Sequence, residues 1–86
     1  MPPVEMTPSA YDHGEEFEDV MWAIEHAEGK AQISGHPGET TWAFVGRRHA
    51  QTDDYIEVLA VLEPPRSIRV FHAMPLTDMY RNLLEG

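Results

Sequence analysis

The residues best suited to chemistry lie close together near the end of the chain, within the stretch SIRVFHAMPLTDMYRNLL. Three of the chain's six Lys and Arg residues lie in or beside it, namely Arg66, Arg69 and Arg81, and His72 lies in its middle. Cations next to an imidazole can stabilise a developing negative charge while a proton is moved. A strand that ends at a proline and passes into a helix would give the same residue order. The stretch therefore indicates either an active site or the end of a small sheet.

The geometry of a regular strand separates two members of this stretch. Successive side chains of a strand point to opposite faces, so Arg69 and His72 would not share a face. A β-bulge would bring them to one face, because it adds a residue to the strand. His72 is then either a histidine bonded to backbone at the strand end or a catalytic group.

Arg47-Arg48-His49 is the only run of three basic residues in the chain. It follows a predicted strand, in a polar segment that reaches Asp53 and Asp54. Such a loop could hold a phosphate through its guanidinium groups, or it could be a solvated turn opposite the two acids. The sequence favours neither interpretation.

The histidines do not have the spacing of a metal site. No pair forms the His-x-x-x-His or His-x-His pattern, and the chain has no cysteine to provide a thiolate, a disulfide or a thiol nucleophile. A glycine-rich phosphate loop, a Ser-His-Asp pattern and a nucleotide fingerprint are also absent from the sequence. We therefore expect neither a metal nor a cofactor. The histidines are His13, His26, His36, His49 and His72.

The charge is unevenly distributed along the chain. The formal net charge is −9, and residues 1–28 contain eight acids and no Lys or Arg, whereas residues 29–86 contain seven acids and six Lys or Arg. Phosphate contacts supply most of the non-specific affinity for nucleic acids, so this balance argues against a general nucleic-acid-binding protein. The acidic third is typical of a solvated helix face, and it also suits a surface that meets a basic protein.

The clearest helix is predicted at residues 15–28, with Gly29 ending it. Trp22 lies beside the apolar stripe rather than on it, so we expect a partly exposed side chain that could anchor an interface. The stripe consists of Phe17, Val20, Met21, Ile24 and Ala27.

The remainder of the chain predicts an α+β fold in a single domain of residues 1–86. Residues 1–6 read as an extended lead-in, and Thr7-Pro8 can begin a short helix that stops at Gly14. A three- to four-stranded, mainly antiparallel sheet follows, with a central strand that is buried on both faces. A last helix begins at Thr77 or Asp78 and turns Met79, Leu83 and Tyr80 inward. The predicted strands cover residues 30–34, 40–46, 54–62 and 67–73, with a turn at Pro64-Pro65.

With these elements placed, the chain resembles the small BrnT-like toxins of bacterial toxin–antitoxin systems, in particular an actinobacterial branch of them. The resemblance spans roughly residues 7–84 and rests on three short motifs: SAYDHG before the first helix, Gly46-Arg47 after a strand, and IRVFHAMPLT at residues 68–77. It implies a fold similar to that of the RelE-type ribonucleases. It also implies a cognate antitoxin as partner, and the lack of a secretion signal and of a membrane-spanning run favours a cytoplasmic protein.

The resemblance further implies a metal-free cleavage of RNA, by attack of the 2′-hydroxyl on the adjacent phosphate. On that basis His13 or His72 would act as acid or base, and Tyr80 as a proton donor or a surface on which a base stacks. The phosphate would be held by Arg47, Arg69 and Arg81.

A second hypothesis belongs to a different class of function. Asp12 and Asp78 stand where the family has basic residues, so the chain could be a non-catalytic interaction module that binds a partner through its acidic helix and Trp22. No apolar run is long enough to span a membrane, and the N-terminus lacks the pattern of a secretion signal. A small domain without disulfides also makes a homodimer plausible.

Overall fold

One mixed sheet organises the protein. The computed structural model describes residues 3–63 and 66–85. In this part of the chain the fold is α+β, with a five-stranded sheet and two α-helices. The helices are α1 (Phe17–Glu25) and α2 (Asn82–Glu85), and a 3-10 helix covers Pro8–Tyr11. The strands are β1 (Val4–Met6), β2 (Gly29–Ile33), β3 (Thr40–Arg47), β4 (Tyr55–Glu63) and β5 (Ser67–Pro75).

The strands lie in the order β1-β5-β4-β3-β2. Strands β2 to β5 pair antiparallel with their neighbours in sequence, as short connections allow, whereas β1 pairs parallel with β5. The central strand is β4, in which Ile56, Glu57 and Val58 are buried. The prediction that the longest apolar run forms a central, doubly covered strand is therefore confirmed.

One face of the sheet, the helix face, is covered by α1. Val20 and Ala23 of the helix are fully buried there. Gly46 allows the helix to approach closely, because a Cβ at this position would lie 2.6 Å from the carbonyl oxygen of Ala23. Burial of apolar surface on this face supplies much of the driving force for folding. Its core consists of Ala10, Val20, Ala23, Ile56, Val58, Ala60, Ile68, Val70 and Ala73.

The opposite face, called the polar face below, lies beneath the C-terminal segment (residues 76–85). Leu83 of this segment contacts Gly29 so closely that a Cβ there would overlap its backbone. The Leu76 amide donates to the carbonyl oxygen of Tyr55 at 3.0 Å. Besides apolar residues of β3, this face contains the buried carboxylate of Glu57.

A β-bulge in β5 changes which side chains share a face. Leu59 of β4 pairs with His72, but the next residue, Ala60, pairs with Val70, so Phe71 is the extra residue. Residues 59 and 61 of β4 share a face, and their partners are His72 and Arg69. The expectation that Arg69 and His72 point apart is therefore wrong, because the bulge shifts the alternation by one residue.

The predicted number of strands and the predicted element order need correction. The sheet has five strands in the described residues rather than three or four. The additional strand is β1, because Val4 and Met6 of the predicted lead-in pair with β5. Helix α1 is consequently preceded by a strand, which differs from the predicted order of helix, sheet and helix.

Both helices are shorter than predicted. Helix α1 ends at Glu25, and Gly29 begins β2 instead of ending the helix. The buried side of α1 is turned toward Ala23, which leaves Phe17 38% exposed. At the other end, α2 is a single turn preceded by turn residues, and Met79 is 74% exposed rather than inward.

Other predictions near the chain ends have mixed outcomes. The short helix after Thr7-Pro8 is present as the 3-10 helix, and Gly14 adopts the expected positive φ of 82°. The predicted turn at Pro64-Pro65 lies outside the described residues. Within residues 3–63 and 66–85, neither helix has the length and apolar character needed to cross a membrane.

Candidate functional site

The centre of the polar face is the buried carboxylate of Glu57. Its side chain is almost fully enclosed, and it accepts three hydrogen bonds. Thr77 donates its amide at 2.8 Å and its hydroxyl at 2.5 Å to Oε1, while Nε2 of His72 lies 3.1 Å from Oε2. A buried charge is tolerated only when it is satisfied in this way. Glu57 therefore ties the C-terminal segment to β4, and Thr77 does not cap the last helix as predicted.

His72 lies between Glu57 and a second histidine. Its ring meets the ring of His13 edge-on, with centroids 5.7 Å apart. His13 follows the 3-10 helix, which is held against the bulge because the hydroxyl of Ser9 donates to the carbonyl oxygen of Phe71 at 3.0 Å. The structure thus brings together the two histidines that were predicted as acid and base.

The arrangement of these groups could support proton transfer. A carboxylate bonded to one imidazole nitrogen sets the orientation of the ring, and the other nitrogen is left for a substrate. A second imidazole at this distance could handle the opposite proton. A metal site is a different matter: within residues 3–63 and 66–85 no three acid or histidine side chains are grouped so that they could hold an ion.

A cavity of about 620 Å³ lies on the polar face, beside the row that contains His72. Arg69, Glu39, Tyr80 and His36 supply its polar groups. Two of the predicted site residues, Arg69 and Tyr80, therefore meet in the same cavity. Its apolar lining comes from Ile33, Leu59, Val61 and Phe71.

The guanidinium group of Arg69 is already engaged by carboxylates. Its Nη2 donates to Oε2 of Glu39 at 3.0 Å, and its Nε lies 3.5 Å from Oε1 of Glu63. A phosphate would have to displace at least one of these acids. Arg81 is similarly paired with Asp78 at 3.1 Å, within the C-terminal segment.

Arg47 belongs to a separate network at the far end of β4. Its Nε lies 3.1 Å from Glu28 and donates to the hydroxyl of Tyr55 at 3.3 Å, and that hydroxyl in turn donates to Glu28. The hydrogen bond to Tyr55 and the charge of Glu28 raise the pKa of Arg47 above its ordinary value. A weaker contact joins it to Asp53 at 4.0 Å.

The three predicted phosphate ligands do not form one site. Arg47 pairs with Tyr55 and Arg69 with Val61 across the sheet. Six residues of strand separate these rows, which is about 20 Å and more than two arginine side chains can bridge. In the basic triplet, Arg48 forms an ion pair with the buried carboxylate of Glu15, and His49 accepts a hydrogen bond from the amide of Gln51.

A second candidate region lies on the outer side of α1. Glu18, Trp22 and Glu25 are spaced four and three residues apart, so they share one side of the helix. These three residues and the neighbouring His26 are called the helix surface below. The ring of His26 stacks on that of Trp22 with centroids 3.8 Å apart. Trp22 is half-buried, as the sequence predicted, and both glutamates are exposed.

Glu57 is the functional candidate that sequence reasoning missed. It stands in DYIEVLAVL, which the sequence pattern predicts to be an apolar strand. A single acid in the middle of an otherwise apolar central strand is a recognisable signal, because such a residue must find partners on folding. Its partners, His72 and Thr77, lie far away in sequence and could not be assigned.

Comparison with protein-family models gives no match, and comparison with curated proteins likewise gives none, so what these two regions do has to be argued from their geometry.

Proposed function

We propose that the protein is a non-catalytic interaction module that binds a basic segment of a partner protein through the helix surface. The partner is the other member of an operon-encoded pair, in line with the resemblance to toxin–antitoxin proteins. The observation that carries this proposal is the contrast between neutralised arginines and unpaired acids.

The arginines expected to hold a phosphate have carboxylate partners: Arg47 with Glu28, Arg69 with Glu39, and Arg81 with Asp78. In contrast, the acids of the helix surface form no ion pair with any described residue. The charge available for a partner is therefore negative, and a basic segment would gain favourable encounter and orientation from it.

The aromatic group in this acidic surface is held in place before a partner arrives. His26 stacks on Trp22, and its Nδ1 lies 3.3 Å from the carbonyl oxygen of Trp22. A fixed tryptophan loses little conformational entropy on binding, and its ring also attracts Lys and Arg side chains. Half-exposed tryptophans with these properties are common interface anchors.

The test is a calorimetric titration of the purified protein with the product of the neighbouring gene. Trp22→Ala is expected to weaken binding at least about tenfold, and a Glu18→Gln/Glu25→Gln double variant should make binding less sensitive to salt. A matched control, Glu5→Gln/Asp12→Asn, removes two exposed charges outside the helix surface and should bind as the original protein does. Binding that is unchanged by the helix-surface variants would contradict the proposal.

A second candidate function, metal-free ribonuclease activity, is supported by one specific observation. The His13–His72 contact and the Glu57 hydrogen bond provide the acid, the base and the orienting carboxylate that attack by a 2′-hydroxyl needs. The phosphate of the RNA would have to bind beside these histidines without several arginines that converge on it.

This second candidate is tested by cleavage of free single-stranded RNA and of ribosome-bound messenger RNA in the presence of EDTA. Activity that is lost in His13→Ala and His72→Ala, but kept in the exposed-loop control His49→Ala, would replace the interaction module by an enzyme. Absence of cleavage in all four proteins would leave the interaction module as the function.

A further inference from the structure

The cavity on the polar face has a charge pattern that the proposed helix surface does not explain. Arg69 stands between two acids, at 3.0 Å from Glu39 and 3.5 Å from Glu63. One positive charge between two negative charges leaves one negative charge without compensation. The side chains of Arg69 and Glu39 are about one-third exposed, at 33% and 31%, so a ligand can reach them from solvent.

The remainder of the cavity lining combines apolar and aromatic groups with the Arg69–Glu39 pair, and Glu63 contacts Arg69 from outside the lining. Leu59 and Val61 lie side by side on β4 and form an apolar floor, while Phe71 and Tyr80 supply aromatic rings. The bulge is what brings Phe71 into this lining, because it adds that residue to β5 next to His72. A volume of about 620 Å³ is in the range of cavities that hold small ligands or protruding side chains.

We propose that this cavity binds the side chain of an arginine that protrudes from a partner protein. The methylene groups of such a residue would pack on Leu59 and Val61, as amphipathic side chains do. Its guanidinium would pair with Glu39 and lie against the rings of Phe71 and Tyr80. The cavity would thus recognise a single basic residue on the side of the sheet opposite to α1.

Charge is the reason to prefer a cation over an anion in this cavity. An anionic ligand would have to separate Arg69 from Glu39 and would then face that carboxylate, with Glu63 also in contact with Arg69. A cation can use the uncompensated charge while the Arg69–Glu39 pair remains intact. The net charge of −9 on the whole chain also favours a cationic ligand over an anionic one.

This inference relies on the proposed function only for the source of the arginine, so its test uses a single residue and no partner protein. The probe is N-acetyl-arginine methylamide, titrated into ¹⁵N-labelled protein and followed by NMR. The expected result is a saturable shift of the amides of Leu59, Arg69 and Phe71. The neutral N-acetyl-norleucine methylamide, which has a similar stem, should bind more weakly.

The matched variants are Glu39→Gln in the cavity and Glu18→Gln on the helix surface, each of which removes one acid. Glu39→Gln should weaken binding of the arginine probe about fivefold, the effect of losing a partly exposed ion pair, and Glu18→Gln should not change it. The NMR spectrum of each variant also shows whether the fold is intact.

Three outcomes would overturn the inference: no saturable shift with the arginine probe, an equal response in Glu39→Gln, or preferential binding of an anionic probe, N-acetyl-glutamate methylamide. Each leaves binding at the helix surface unaffected, since Trp22→Ala alters that surface alone. Failure of the cavity and failure of the proposed function are therefore distinguishable.

Discussion

The two faces of the sheet are built by different physics. The helix face is closed by α1 over small and branched apolar residues, with Gly46 and Ala23 in direct contact. The polar face is held by hydrogen bonds to Glu57 and retains an open cavity. Close packing on the helix face supplies stability, whereas the polar face keeps charged groups and a cavity accessible.

The acids of the helix surface and those near the cavity and the C-terminal segment differ in the same way. Glu18 and Glu25 on the helix surface have no ion-pair partner within residues 3–63 and 66–85. By contrast, Glu39, Glu63 and Asp78 each face an arginine. The formal net charge along the sequence shows only an acidic third and a near-neutral remainder. The structure shows that Arg69 and Arg81 pair with acids of the second part, whereas Arg47 and Arg48 reach back to Glu28 and Glu15 of the acidic third.

The largest expected effect is on the helix face. Gly46→Val places side-chain atoms where the backbone of Ala23 lies, so it should lower the free energy of unfolding by about 3 kcal/mol. Urea denaturation followed by tryptophan fluorescence measures this change. Gly46→Ala, as a graded control, should cost less, and a loss below about 1 kcal/mol for the valine variant would show that α1 can move away cheaply.

The polar face should be less sensitive. Glu57→Ala removes the acceptor of both Thr77 hydrogen bonds and should cost about 2 kcal/mol, because two partly buried donors lose their partner and a space is left in the interior. Hydrogen exchange should show faster exchange of the Thr77 amide while the α1 amides stay protected. Glu57→Gln keeps an acceptor of the same shape and should lose about half as much. If Glu57→Ala lowered the free energy of unfolding as much as Gly46→Val does, the two faces would not differ in their contribution to stability.

A buried ion pair next to α1 should give an intermediate effect. Arg48→Met leaves the carboxylate of Glu15, which is 3% exposed, without its cation, at a cost of about 1.5 kcal/mol after allowance for the partial exposure of Arg48. Thermal unfolding measures the loss. The double variant Glu15→Gln/Arg48→Met should recover most of it, and a failure to recover would mean that Arg48 acts through packing alone.

The smallest effect on stability is expected at the helix surface. Trp22→Ala removes a half-buried ring that stacks on His26, so the free energy of unfolding should fall by about 1 kcal/mol. The same denaturation experiment, with circular dichroism as the signal, measures it. A large loss would assign Trp22 to the core and weaken its role as an interface anchor.

Local patterns explain why several elements could be predicted. Helix α1 was recognised from its apolar spacing and the acids at its start, and the cores of β3 and β4 from runs of β-forming residues. Those signals come from neighbours in sequence. Strand β1 escaped prediction because three residues after two prolines carry no period, and its pairing with β5 depends on contacts more than sixty residues away.

The sequence by itself determined the α+β class, the central position of β4, the acidic character of the first third and the half-exposed state of Trp22. Only the tertiary structure decided that His13 meets His72, that Glu57 is buried between His72 and Thr77, and that Arg69 shares a face with His72. The physical reason is that a single bulge reverses the facing of every later residue in a strand, and periodicity cannot report it. The pairing of Arg69 with Glu39 depends on equally distant contacts, which is why a cation that looked available in the sequence is paired with a carboxylate in the fold.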